Sequence, residues 1–257
     1  MKILMLIMVL LNCTFYPQGF SNQLDNAHNE TFFLSLKRTG TNWTLAALQV
    51  LTNRYIVPAE NYPSRVDNKP NRNRLQLSLN ESKPPFYRTH YVDLLESVCK
   101  EDNKLFIIIR DYRETTLRYL KQNKNKEILY HNYDYLVDDY IRMLAYFEAW
   151  PEENRHYFYY EDLIEKPKET LKSLVEFLGE SDADLESFMK HHDDYKNKVA
   201  DSYHSMWHII GGSISRGADV RYHASRAPVS LVAEIENVFA NSVPENLRSK
   251  YLGRYNN

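Results

Sequence analysis

Apolar residues along this chain gather in two kinds of run. The short kind reads as strand: Phe32–Leu36, Phe86–Thr89, Leu105–Ile109 and the aromatic His156–Tyr160. Leu105–Ile109 is the clearest, because its residues are apolar without a break, as in a strand buried on both faces. The long kind repeats at helical spacing. Trp43–Leu51 is apolar nearly all round. Residues 134–150 set Leu136, Val137, Tyr140, Ile141, Leu144 and Phe147 opposite Asp134, Asp138, Asp139 and Arg142. Residues 167–178 carry a stripe of Leu171, Leu174, Val175 and Leu178. Pro167 suits the first helical position there, and Gly179 suits the C-terminal cap. Residues 229–239 place Leu231, Val232, Ile235, Val238 and Phe239 at helical spacing. Strands alternating with helices predict an α/β fold with a central parallel sheet flanked by helices on both faces. In such sheets ligands bind at the carboxyl ends of the strands. The polar segment 58–85 predicts a long irregular insertion, either a lid or a surface loop.

The boundary between the first strand and the first helix is the most informative stretch. Phe32–Leu36 runs into Lys37-Arg38-Thr39-Gly40-Thr41-Asn42, and the apolar helix pattern follows at Trp43. Gly40 is the only glycine between Gly19 and Gly179. A strand–turn–helix unit aims backbone N–H groups at whatever lies over the helix N-terminus, and the helix dipole favours an anion there. The turn lacks the second glycine and the Gly-Lys pair of a Walker A loop, which disfavours an ATP-dependent kinase or a GTPase. Two further strand ends carry candidate chemistry. Leu105–Ile109 runs into Arg110-Asp111-Tyr112-Arg113, with a helix start at Glu114 and Arg118 about two turns on. Arginine suits bidentate contact with phosphate; the competing reading pairs Arg110 with Asp111 or Asp162. Arg88-Thr89-His90 ends the second strand, where a histidine can act as general base near neutral pH. A lone histidine is more often structural.

Composition narrows the partners. The 257 residues suffice for one α/β domain or two small ones, and the net charge of −2 leaves no general basic surface for nucleic acid. Any anion site must therefore be local. Aromatics reach 13%, with 20 Tyr, which suits a site that stacks on flat rings. Cys13 and Cys99 form neither a zinc spacing nor a disulfide framework, and Cys99 reads as an inert thiol. No metal cluster is offered. At the N-terminus, Lys2 precedes the apolar run Ile3–Leu11, too short to span a bilayer, and Gly19-Phe20-Ser21 gives a small-x-small site. Residues 1–21 thus read as a cleavable signal peptide and predict a secreted or exported protein, cytoplasmic if the segment is not processed. A loose lipoprotein-type motif, Leu10–Cys13, and a disordered start are the competing readings.

Taken together, the motifs resemble one family, the sulfotransferases that use 3′-phosphoadenosine 5′-phosphosulfate (PAPS). Lys37–Trp43 is similar to the family's first loop, Pro-Lys-Ser-Gly-Thr-Asn/Thr-Trp. Arg88-Thr89-His90 is similar to its Lys-Thr-His, and Arg110 to Arg118-Tyr119 to its arginine-led strand-to-helix motif ending in Ser-Tyr. Tyr160-Glu161-Asp162 with Glu165–Gly179, and Ser215-Arg216-Gly217, resemble the later motifs. The resemblance covers about residues 30–255 in the family's order, as one sulfotransferase domain with a P-loop-like fold. It implies that Arg38, Thr39, Gly40, Thr41 and Asn42 hold the 5′-phosphosulfate. Trp43 would stack on adenine, with core packing as the competing reading, and Tyr160 would meet the same base. Arg110 and Arg118 would clamp the 3′-phosphate with Arg216 and the Gly217 backbone. His90 would take the proton from a hydroxyl or amine acceptor, with Arg38 as the second catalytic group. PAPS is the implied co-substrate and no metal is required. The acceptor would be a small molecule, glycan or peptide, with Tyr130, Tyr133, Tyr135 and the 58–85 insertion as the places for acceptor specificity; a homodimer is left open.

Three departures from the family pattern stand out. The loop lysine aligns with Arg38, which stabilises negative charge but does not readily donate a proton, its pKa staying above about 12; Lys37 is a nearby backup. The family serine is Arg118, which adds charge to the clamp or points outward. Ser215 stands where an arginine is common. A catalytically silent PAPS-binding protein is the alternative these departures feed.

Overall fold

The computed structural model describes residues 30–62, 75, 77–122, 132–181, 183–210 and 223–255. Five strands form one sheet, all parallel: β1 (Thr31–Ser35), β2 (Ile56–Pro58), β3 (Phe86–Thr89), β4 (Lys104–Ile109) and β5 (Arg155–Tyr159), in the order β2-β3-β1-β4-β5. Four of them lie within one residue of the sequence expectation. β2 was not expected. It is three residues long and ends at Pro58, which lacks the N–H a central strand needs and is tolerated here at the sheet edge.

The apolar runs are explained by two cores, one on each face. Alternate residues of β1 and β4 point opposite ways. Phe32, Leu34, Leu105, Ile107 and Ile109 enter one core, while Phe33, Phe106 and Ile108 enter the other. The first core is closed by α2 (Val92–Val98), α3 (Tyr112–Gln122), α4 (Asn132–Ala149) and α9 (Val229–Ser242). The second is closed by α1 (Thr41–Thr52), α5 (Tyr160–Glu165), α6 (Pro167–Leu178), α7 (Leu185–Lys190) and the first half of α8 (His192–Ile210). The helix expected at 167–178 is α6, with Pro167 at its start and Gly179 at φ 77° as its left-handed cap. The 58–85 insertion is described only in part. It opens with a 3-10 turn, Ala59–Asn61, and closes at the Pro84-Pro85 break. Arg54, 4% exposed, fixes that break by donating to both Pro84 O and Pro85 O and pairing with Glu180 at 3.1 Å.

β1 is the point where the sheet changes direction. The chain leaves it for β2 and β3 on one side, then crosses to β4 and β5 on the other. Leu34 is level with Thr89 of β3, and Ser35 with Ile108 of β4. The ends of β3 and β4 therefore flank the turn that follows β1, at the crevice where open α/β sheets hold ligands.

Candidate functional site

The turn after β1 is built from backbone. Gly40, at φ 96°, starts α1 and accepts from Trp43 N at 3.1 Å and Thr44 N at 3.2 Å. Arg38 is also left-handed, at φ 75°, a conformation that costs about 1–2 kcal/mol for a residue with a Cβ. Hydroxyls brace the turn from inside: Thr39 Oγ1 donates to Leu36 O at 2.8 Å, and Thr41 Oγ1 to Ser35 Oγ at 3.0 Å. Among the described residues no side chain caps the α1 N-terminus, and no acidic residue lies in its first turn. The first N–H groups of a helix have no partner within it, so this end is electropositive and open to an anion. Glycine at position 40 is required twice over. Its φ is unfavourable for side chains, and a Cβ there would come within 2.2 Å of the Tyr160 ring.

The turn after β4 is built from charge. Arg110, 3% exposed, reaches over the Tyr160 ring at 4.1 Å and donates to Arg38 O at 3.2 Å. Burial pushes its guanidinium down from the usual range; the neighbouring Arg118 cation pushes the same way, while Tyr160, Glu114 and Glu161 oppose it. Its carboxylate partner is neither Asp111 nor Asp162. Asp111 takes Arg113, with Nη2 at 2.8 Å, and Asp162 takes Arg254, at 2.8 and 3.1 Å. Arg110 instead faces Glu114, at 3.8 Å, and Glu114 also binds Arg118 Nε at 2.5 Å.

On the other side of β1, His90 Nδ1 faces the Ser35 carbonyl at 2.5 Å. A carbonyl only accepts, so in the neutral ring Nδ1 carries the hydrogen. Nε2 is then the basic nitrogen, and Arg88 Nη2 lies against it. Three strand ends thus meet at one turn. Ser35 and Arg38 offer carbonyls that His90 and Arg110 hold from opposite sides.

Trp43 is 7% exposed and packs into the second core, 6.2 Å from the Phe188 ring and 5.2 Å from His192. Trp43 Nε1 and His192 Nε2 are both buried without a hydrogen-bond partner among the described residues. Buried polar atoms of that kind require an explanation, a bound molecule among them. Tyr160 lies against the turn itself, between Gly40 and Arg110. Arg216 and Gly217, with Ser215, lie outside the described residues, as do Cys13, Tyr130 and residues 1–21; Tyr133 and Tyr135 fall in α4, where their side chains are not described. Burial, with the Glu30 charge, pushes the Cys99 thiol up to about 12, so it stays protonated at neutral pH. Among the described residues no group of acidic, histidine or cysteine side chains could hold a metal ion. No helix there is long and apolar enough to cross a membrane.

Sequence reasoning missed the carboxylates. Glu161 accepts from Asp111 N at 3.0 Å and from Tyr255 Oη at 2.8 Å, so it joins the β4–α3 turn to the last residues of the chain. Tyr140, fully buried, donates to Arg110 O at 3.0 Å. Glu114 was readable in principle: Arg110, Glu114 and Arg118 alternate in charge at four-residue spacing, one row on a helix face.

An electropositive helix N-terminus at the switch point of a parallel sheet, flanked by a buried arginine and an oriented imidazole, is an arrangement that can hold an anionic group. Residues 28–243 match the family described as the sulfotransferase domain, and the chain belongs to that family. Membership carries a transferase role. The fold is shared with retinol dehydratase bound to androsterone and inactive cofactor PAP, at TM-score 0.56 and 13% identity over 84% of this chain and 81% of that one. A mouse sulfotransferase complexed with PAP is similar at TM-score 0.52 and 12% identity, over 83% and 84% of the two chains. Retinol dehydratase with retinol and PAP is similar at TM-score 0.56 and 13% identity, over 84% and 82%. No curated protein sequence matches the chain.

Proposed function

We propose that the protein transfers a sulfuryl group from PAPS to a hydroxyl or amine acceptor. The observation that carries this reading is the uncapped α1 N-terminus between His90 and Arg110. It offers N–H groups for the phosphosulfate, a base on one side and a cation on the other. The 5′-phosphosulfate lies over Thr39–Asn42. Arg110 and Arg118 take the 3′-phosphate, with Arg216 and Gly217. The buried Trp43 donor beside the His192 acceptor suits the edge of a flat base. Similar structures hold PAP, which agrees with PAPS as donor.

The reaction is an in-line displacement. The acceptor oxygen or nitrogen forms a bond to sulfur as the bond from sulfur to the phosphate oxygen breaks. His90 Nε2 accepts the acceptor's proton; Arg88 must yield that nitrogen when the acceptor enters. Negative charge grows on the leaving phosphate oxygen, where the Arg38 cation and the turn N–H groups stabilise the transition state more than the ground state. No step calls for a metal ion. Acceptor choice falls to the 58–85 insertion and the Tyr130–Tyr135 stretch, and the retinol and androsterone of the similar structures make a small apolar alcohol the first acceptor class to try. The apolar N-terminus supports export, which requires PAPS to be supplied where the protein resides.

Isothermal titration with PAPS and ATP in parallel tests the donor. PAPS binding, with labelled sulfate moving to one of a panel of alcohols and amines, is the expected result. ATP binding with no response to PAPS would overturn the reading, and PAPS binding without transfer to any acceptor would favour a silent binding protein. His90→Ala should lower turnover about 10²- to 10⁴-fold, the usual worth of a general base, with PAPS affinity unchanged.

A further inference from the structure

The α3 helix buries one carboxylate completely. Glu114 is 0% exposed, one turn after Arg110 and one turn before Arg118. Its two oxygens do different work. Oε1 faces both arginines, at 3.8 Å from Arg110 Nη2 and 2.5 Å from Arg118 Nε. Oε2 accepts from two successive backbone N–H groups, His223 N at 2.7 Å and Ala224 N at 2.8 Å. Those amides belong to another part of the fold, at the start of the 3-10 turn Ala224–Arg226 that leads into α9. A carboxylate that accepts three hydrogen bonds, one from a cation and two from amides, with a second cation at ion-pair distance, has its orientation fixed.

We propose that Glu114 is a positioning residue for the phosphate clamp. It sets Arg110 and Arg118 at one spacing and ties that pair to the backbone at 223–224. The physical need is plain. Two arginine cations beside one carboxylate repel each other, and Arg118 already pushes the Arg110 guanidinium down. A buried anion between them holds both cations in place before a ligand arrives, so less ordering remains to be done on binding. Glu114 would also repel a phosphate that came too close. Positioning and repulsion therefore predict opposite signs for its removal, which makes the role decidable.

The inference rests on Arg110 and Arg118 binding the 3′-phosphate. Its test compares two nucleotides on the full chain: adenosine 3′,5′-bisphosphate and adenosine 5′-phosphate, by titration calorimetry, for the parent protein, Glu114→Gln and Glu114→Asp. Glutamine keeps the shape and loses the charge; aspartate keeps the charge and pulls it back by one methylene. Both should weaken the bisphosphate at least tenfold and leave the monophosphate within about twofold. Tighter bisphosphate binding by Glu114→Gln would overturn positioning in favour of repulsion, and equal losses for both nucleotides would reduce Glu114 to general scaffolding. Hydrogen exchange supplies an arm that needs no nucleotide. The amides of His223 and Ala224 should exchange faster in Glu114→Ala, which removes the acceptor, while β4 keeps its protection, and unchanged exchange there would overturn the tie. Failure of the parent protein to bind either nucleotide, with the exchange result as expected, would fault the PAPS reading and with it the clamp, leaving only the tie.

Discussion

The turns after β1 and β4 lie side by side, each joining a central strand to a helix, yet they are ordered by opposite means. The first is held by backbone conformation, with two left-handed residues and hydroxyls bonded to nearby oxygens. The second is held by side-chain charge, with Arg110, Asp111, Arg113, Glu114 and Arg118 paired among themselves and with Glu236. A backbone turn presents N–H groups whatever the pH or salt. A charged turn presents cations whose aim depends on their counter-ions. On the proposed function, the pair therefore divides one anion site into a part that fails by steric damage and a part that fails by loss of charge.

Three measurements break or sharpen that division, in falling order of effect on stability. Gly40→Ala combines a left-handed penalty of about 1–2 kcal/mol with overpacking of about 1–3 kcal/mol against Tyr160. Urea unfolding should show the sum, and the same change in a Tyr160→Ala background should cost only the backbone part. An equal cost in both backgrounds would remove the steric argument. Arg110→Ala should cost about 2–3 kcal/mol, since Glu114 keeps Arg118 and two amides. It should also weaken a 3′-phosphorylated nucleotide far more than one without that phosphate, and equal weakening would refute the clamp. Arg38→Gly relieves the left-handed strain and adds unfolded-state entropy, so stability should hold within about 1 kcal/mol while turnover falls. Turnover that survives would return the catalytic cation to Lys37.

The smallest effect concerns a site outside both turns. His156 stacks on Phe177, with ring centroids 5.1 Å apart, and burial pushes its imidazolium down from 6.5. The unfolded chain then takes up the proton first as pH falls. This contribution is complete above pH 6.5 and is lost progressively below it, toward the depressed folded value. In His156→Phe the urea midpoint should drop less between about pH 7.5 and pH 5.5 than in the parent. An identical drop would assign the acid sensitivity to other groups.

The two turns also differ in how far they could be read from sequence. Gly40 was legible because one glycine in a glycine-poor chain, set between an apolar strand and an apolar helix, has few other uses. The parallel sheet was legible because strands buried on both faces have unbroken apolar runs, as Leu105–Ile109 has. β2 was not, since three residues ending in proline carry too little pattern. Arg110 was legible as a cation at a strand end, but its partner was not. Asp111 and Asp162 were nearer candidates by motif, and only the helix phase brings Glu114 to the same face. Glu161 and Tyr255 could not be paired at all from sequence, because that contact spans 94 positions.

That distance matters when the chain is made. Tyr160, Glu161 and Asp162 are consecutive, and each ties down a different part: the β1 turn through Gly40, the β4 turn through Asp111 N, and Arg254 near the end of the chain. Glu161 also waits for Tyr255. A ribosome adds about 5–20 residues per second, so the sheet strands are all synthesised several seconds before the residues that complete the wiring beneath the site. The proposed anion cradle is thus finished only after residues 251–255 have been made and have folded back against β5 and Glu161.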